Sequence, residues 1–333
     1  MDILFVFIAS VMAAVIPTVI YVVIAWWLDR YEREPLWLLS ITFLWGAVPA
    51  IVLSLVAELL LDIPVQVFVT GEGGTLISTA VIAPVVEEMA KGVVLLLIYW
   101  LYRQEFDGLM DGLIYAALVG FGFAMTENVF YFMGAYSEGG WESWSTLVFL
   151  RAIIFGLNHA LFTSAFGAAL GYARYAQNSF ARRLAPVIGL IVAIMLHAIH
   201  NFFVSLPEAQ ALCLISLVVD YLGVFAWLGL MFLATYQEKR WIIQELAEEV
   251  ADGILPEQHA NAIASYRIRL RDRWAEYKEH GFGRAHRLSL LHQLATELAF
   301  KKRQLRLHGD EQGNAAEVVK LRAQIGQLLE ELA

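Results

Sequence analysis

Seven stretches of this chain are apolar for long enough to cross a bilayer, which takes about 20 residues in a helix. They are 3–28, 37–61, 75–101, 109–135, 146–172, 184–206 and 211–236. In lipid, every backbone N–H and C=O must find its partner inside the protein, which leaves only helices and closed barrels. Runs of this length exclude barrel strands, so the expected fold is an all-α, polytopic membrane bundle. Composition agrees: 59% of the 333 residues are hydrophobic and only 17% charged, with a mean hydropathy of +0.61.

Loop charges give the spans a direction. Arg30 and Arg33 follow the first run, Arg103 the third, Arg174, Arg182 and Arg183 the fifth, and Lys239 and Arg240 the seventh. The alternate loops, DIPVQVFVTGEGG, YSEGGWES and PEAQ, hold neither Lys nor Arg. The positive-inside rule then predicts an N-terminus outside and a C-terminus in the cytoplasm. The first run has an acid where a signal peptide carries bases and is too long for its apolar core, so it reads as a retained span. Residues 1–236 carry 17 acids against 8 bases, and 237–333 carry 15 of each. Neither segment has the basic excess of a nucleic-acid binder. The one cysteine, Cys213, excludes a disulfide framework and is expected as a small core residue.

Against this background, the third run is costly. It reads APVVEEMAKGVVLLL, with Glu87, Glu88 and Lys91 at its centre. Together with Glu127 in the fourth run, these groups would cost on the order of 10 kcal/mol if all were charged and facing lipid. They must therefore face the bundle interior, a wet cavity or each other. Helical spacing lets one carboxylate pair with Lys91 while the other points inward. GFGFAMTENVFYF sets Glu127 and Asn128 beside glycines that permit close helix approach. FGLNHALFTSAFG puts His159, Thr163 and Gly167 on one stripe, and MLHAIHNFF puts His197 and Asn201 one turn apart with His200 nearby.

A lone intramembrane His or Asn is more often interhelical glue than a reactive group, and an acid pair with a lysine also suits a proton or ion carrier. Asp220 and Glu58 have no evident companions in the sequence and read as pairing or interfacial groups. The combination is what points to chemistry: carboxylates, two imidazoles and an amide at one depth supply a base, a polarising ring and oxyanion donors. A membrane scaffold without activity remains the alternative, beside the ion carrier.

The ordered set EExxK (Glu87, Glu88, Lys91), FxxxE (Phe123, Glu127), FxxxH (Phe155, His159) and HxxxN (His197, Asn201) resembles the PrsW family of intramembrane proteases, related to the CAAX-processing endopeptidases and Abi proteins. The resemblance covers roughly residues 20–236. It implies a multi-pass endopeptidase of a prokaryotic plasma membrane, acting on membrane-tethered proteins such as anti-sigma-factor regulators. By motif, Glu87 is the base that activates water, His159 its partner, His197 and Asn201 the oxyanion donors, and Glu88 the partner of Lys91. Glu127 has no counterpart in the CAAX-type enzymes. If the family's metalloprotease description holds, Glu87, His159 and His197 would instead be zinc ligands. No HExxH is present, and the metal-free mechanism is slightly preferred on sequence.

From 237 onward, the composition is that of a soluble helical tail. Asn314 and Glu317 have the spacing of a capping box. Val318, Leu321, Ile325, Leu328 and Leu332 form one apolar face, and Leu288, Leu291, Ala295 and Leu298 another, which predicts a helical hairpin or small bundle packed on itself. Self-association or partner docking is the alternative use of these faces.

Overall fold

The computed structural model describes residues 3–206, 210–310 and 313–333, with only the backbone at 210–213. Every regular element among them is helical: α1 (Ile3–Leu28), α2 (Leu36–Trp45), α3 (Ile51–Phe68), α4 (Glu72–Ile77), α5 (Ala83–Leu101), α6 (Leu109–Val148), α7 (Asn158–Tyr175), α8 (Ser179–Val204), α9 (Gln210–Ala251), α10 (Glu257–Ile263), α11 (Tyr266–His280), α12 (Phe282–His308) and α13 (Asn314–Leu332). π-helical turns at Gly46–Ala50 and Ser78–Ile82 join α2 to α3 and α4 to α5, and a third, Phe149–Ile154, follows α6. The expected place of Cys213 in the core lies outside the described side chains.

Five stretches among the described residues are long and apolar enough to cross a membrane: Ile3–Leu28, Leu36–Phe68, Leu109–Tyr175, Ser179–Val204 and Leu214–Ala251. Leu109–Tyr175 contains two of the expected runs. Between them α6 breaks at Gly139 and Gly140, the latter at φ +64°, a conformation open to glycine without steric cost. The run 72–101 is helical throughout but less apolar, because it carries Glu87, Glu88 and Lys91.

The contacts divide the chain into two compact units. One comprises the residues up to Leu28 with Glu34–Met231; the other comprises Asp29–Arg33 with Phe232–Ala333. In the first, α6 is the central helix, and every residue from 109 to 124 is buried. It packs on α1, α2 and α7. A helix that is apolar all round belongs in such a position. The surrounding helices turn large apolar side chains outward, among them Phe5, Ile20, Leu59 and Val187, as a hydrocarbon solvent allows. Pro49 accounts for the first π-helical turn: it lacks an N–H and its ring crowds the preceding turn. The hydroxyl of Thr126 donates to the carbonyl of Ala47 there, at 2.7 Å.

In the second unit, α12 and α13 form the expected hairpin, with Leu288, Leu291, Ala295 and Leu298 buried on one side and Val318, Leu321, Ile325 and Leu328 on the other. The expected capping box does not form. Asn314 is already the first helical residue, Glu317 turns to Lys320 at 2.8 Å, and the side chain of Asp310 accepts from the Ala315 N–H at 2.8 Å. The change of composition at 237 leaves no break either: α9 continues to Ala251, since neither Gly nor Pro occurs between Gly229 and Gly253.

Candidate active site

The acid pair is built from the turn that precedes it. Pro84, near the start of α5, has no N–H to give, so the π-helical turn before it leaves the Thr79 carbonyl without a backbone donor. The side-chain amide of Asn201, from α8, donates to that carbonyl at 2.9 Å. This contact joins the start of α5 to α8 and commits Asn201, the expected oxyanion donor, to a backbone group.

One turn on, Glu87, Glu88 and Lys91 are all buried, Lys91 completely. The Lys91 Nζ donates to Glu88 Oε1 at 2.8 Å and to Glu87 Oε2 at 3.1 Å. The sequence-based division, with Glu88 on the lysine and Glu87 apart, is therefore replaced by an ammonium shared between both acids. Nζ also lies 3.0 Å from Nδ1 of His159 and 3.9 Å from the centre of the Phe123 ring. An ammonium has three hydrogens and no lone pair, so His159 Nδ1 accepts and its proton sits on Nε2. That nitrogen faces Glu127 Oε2 at 2.9 Å.

His197 is oriented in the same manner by the other acid. Its Nδ1 lies 3.0 Å from Glu88 Oε1, while Nε2 points to Glu87 Oε2 at 3.8 Å. Glu88 also accepts from the hydroxyl of Thr163 at 2.9 Å. It is thereby engaged on both oxygens, by α5, α7 and α8. Glu87 is not: among the described residues, no hydrogen bond reaches its Oε1. Glu87, His159 and His197 each offer a donor atom within 4.8 Å of the other two, and His159 Nδ1 is 4.0 Å from Glu87 Oε2. Phe162 stacks on His197 at 4.9 Å between centroids and supplies an apolar wall.

One group went unrecognised in the sequence, and another had no partner named for it. Arg151, in the third π-helical turn, donates to Glu127 Oε2 at 2.5 Å and to Asn128 Oδ1 at 2.8 Å, with its guanidinium 3.8 Å from the centre of the Tyr131 ring. Its signal was the same as that of the acids, a charge inside an apolar run. Asp220, read from the sequence as a pairing or interfacial group, accepts from Asn158 at 3.0 Å and from the Ser216 hydroxyl at 3.1 Å and lies 2.7 Å from His200 Nδ1. It ties α9 to the segment that carries His159 and to α8.

Close helix approach sets the position of His159. A Cβ on Gly120 would stand 2.5 Å from the His159 carbonyl oxygen and 2.6 Å from the Ala160 backbone. Gly120→Ala is expected to push α7 away from α6, lowering thermal stability by about 1–3 kcal/mol and activity more than that loss of folded protein accounts for. Thermal unfolding and cleavage of the same preparation check this.

A multi-pass helical bundle that holds two oriented imidazoles, one buried and one half-buried, against a carboxylate with an open oxygen has the equipment of an intramembrane hydrolase. The profile described as "PrsW family intramembrane metalloprotease" matches residues 34–233. With more than half of its length matched, the chain belongs to this family and is an intramembrane endopeptidase. It is similar to "Protease PrsW" of Clostridioides difficile, 29% identical over 192 residues, 57% of this chain and 77% of the relative. Proteins of the same name in Oceanobacillus iheyensis (29% over 154 residues; 46% of this chain, 62% of the relative) and Bacillus subtilis (27% over 177; 53% and 74%) are also similar. No solved structure matches the chain.

Proposed function

We propose that Glu87, His159 and His197 hold a zinc ion and that this centre hydrolyses peptide bonds of membrane-tethered proteins, anti-sigma-factor regulators among them, in a bacterial plasma membrane. The observation that carries the reading is the paired orientation of the imidazoles. On each ring, one nitrogen faces a carboxylate, Glu127 or Glu88, and the other is directed to the Glu87 side of the cluster. A carboxylate behind a histidine fixes the tautomer and raises the basicity of a metal ligand. Two imidazoles and a carboxylate also suit a catalytic zinc with an open position. When bound, the metal would supply the Lewis acidity that makes water nucleophilic near neutral pH.

The chain's own residues supply the remainder. The uncommitted Oε1 of Glu87 takes the proton of the attacking water. Glu88 and Glu127 hold the rings, and Arg151 holds Glu127. Asn201 serves as an oxyanion donor by exchanging the Thr79 carbonyl for the substrate. Residues 1–236 carry this chemistry on seven spans with the N-terminus outside, as the alternation of basic loops supports, and 237–333 form a cytoplasmic tail.

Lys91 favours a second reading. Two of its three acceptors, Glu87 Oε2 and His159 Nδ1, are atoms a metal would use, so an ammonium could serve there in a metal-free centre. The family description and the two carboxylate-backed rings support the metal instead, against the slight preference drawn from sequence. The test is cleavage of a co-reconstituted single-span protein before and after exhaustive chelation. Activity lost on chelation and restored by added zinc is the expected result; activity that survives chelation selects the metal-free reading.

A further inference from the structure

The second unit contains a helix with no core of its own. None of the 15 residues of α11 is buried, yet Leu270, Trp274 and Tyr277 are 39%, 58% and 46% exposed. At about 100° per residue, these three fall within an arc of about 60°. Arg267, Arg271 and Lys278 flank that stripe on one side and Arg273 on the other, and all four are exposed. Asp272, Glu276 and Glu279 fall on the opposite half of the helix. In a chain of net charge −9, this face therefore combines aromatic rings with a cationic rim. Phe282, 74% exposed, extends it into α12 beside a groove of about 710 Å³ shared with Trp274 and Tyr277.

We infer that this face of α11 docks on the anionic surface of the bilayer in which the chain is embedded. Trp and Tyr favour the depth of the headgroups. Basic residues beside an apolar stripe are the pattern of a helix lying in the interface, and anionic lipids attract such bases. The tether of α11 supports the same occupant. Arg269 donates to the Arg30 carbonyl at 2.6 Å, and the Tyr31 hydroxyl donates to the Ala264 carbonyl at 3.1 Å. Arg30 and Tyr31 belong with α11 to one compact unit, and along the chain Arg30 follows by two residues the end of α1, a stretch of membrane-spanning length. The acids facing away from the aromatic stripe are spared repulsion from the anionic surface.

The test uses the full chain in nanodiscs, with Cys213→Ala and a fluorophore on Tyr277→Cys, and nitroxide-headgroup lipids as quenchers. Strong quenching is expected in discs containing phosphatidylglycerol and weak quenching in phosphatidylcholine alone. Adding Arg267→Glu, Arg271→Glu and Arg273→Glu should shift docking by at least about 10²-fold, at roughly fivefold per base. These side chains are exposed, and an unchanged circular dichroism spectrum separates loss of docking from loss of fold. If the triple variant is misfolded, 0.5 M salt on the parent replaces it and should release the face in the same discs. Equal quenching in both lipids, or quenching indifferent to the charge changes and to salt, would overturn the inference. So would energy transfer between two labelled copies without lipid quenching, which would assign the face to a second chain.

Discussion

Glu87→Gln is expected to leave the protein inserted and folded and to reduce cleavage by at least about 10²–10⁴-fold, the usual contribution of a general base. The amide keeps the shape of the side chain, and its oxygen can still accept from Lys91. It cannot take a proton from water, and it is a poor metal ligand. Glu88, one residue away, cannot substitute, because its oxygens are already engaged by Lys91, His197 and Thr163. Turnover of a single-span substrate, normalised to protein of unchanged thermal stability, checks the result. Full activity would remove Glu87 from the chemistry.

Lys91→Met is expected to have the largest effect on stability. The ammonium is completely buried and is shared by Glu87, Glu88 and His159. Methionine fills similar space but leaves two carboxylates facing each other in an apolar bundle. Removing one partner of a buried ion pair costs about 3–5 kcal/mol, and here two acids lose the same partner. The variant should accumulate poorly and unfold at lower temperature, and the carboxylates should relieve their repulsion by sharing a proton. Parental accumulation and melting temperature would show that the lysine does not hold the acids together.

Much of this centre was legible in the sequence because membranes penalise exceptions. Glu87, Glu88, Lys91, Glu127, His159 and His197 stood out as polar groups in apolar runs, and the structure brings all six together. Arg151 obeys the same rule, as a charge near the start of the apolar run 146–172. The partners of Asp220 were less legible: Asn158 and His200 come from α7 and α8, which only packing brings to α9, whereas Ser216 lies one turn before it on the same helix. Asn201 illustrates another limit. Its contact with Thr79 depends on a carbonyl freed by Pro84 and a π-helical turn, and hydrophobic periodicity does not report such a turn. In the tail, the apolar faces of α12 and α13 followed from spacing alone. The cap of α13 did not, because Asp310 reaches it from four residues upstream of Asn314.

Metal stoichiometry in purified, full-length protein tests the central claim most directly. Elemental analysis of the parent chain should find about one zinc per chain; His159→Ala and His197→Ala should each lose both the metal and activity. Asn201→Ala should keep the metal while turnover falls by roughly 10²–10³-fold, as for a lost oxyanion donor. An active parent without stoichiometric metal, or histidine variants that retain it, would contradict the assignment of Glu87, His159 and His197 to one metal centre.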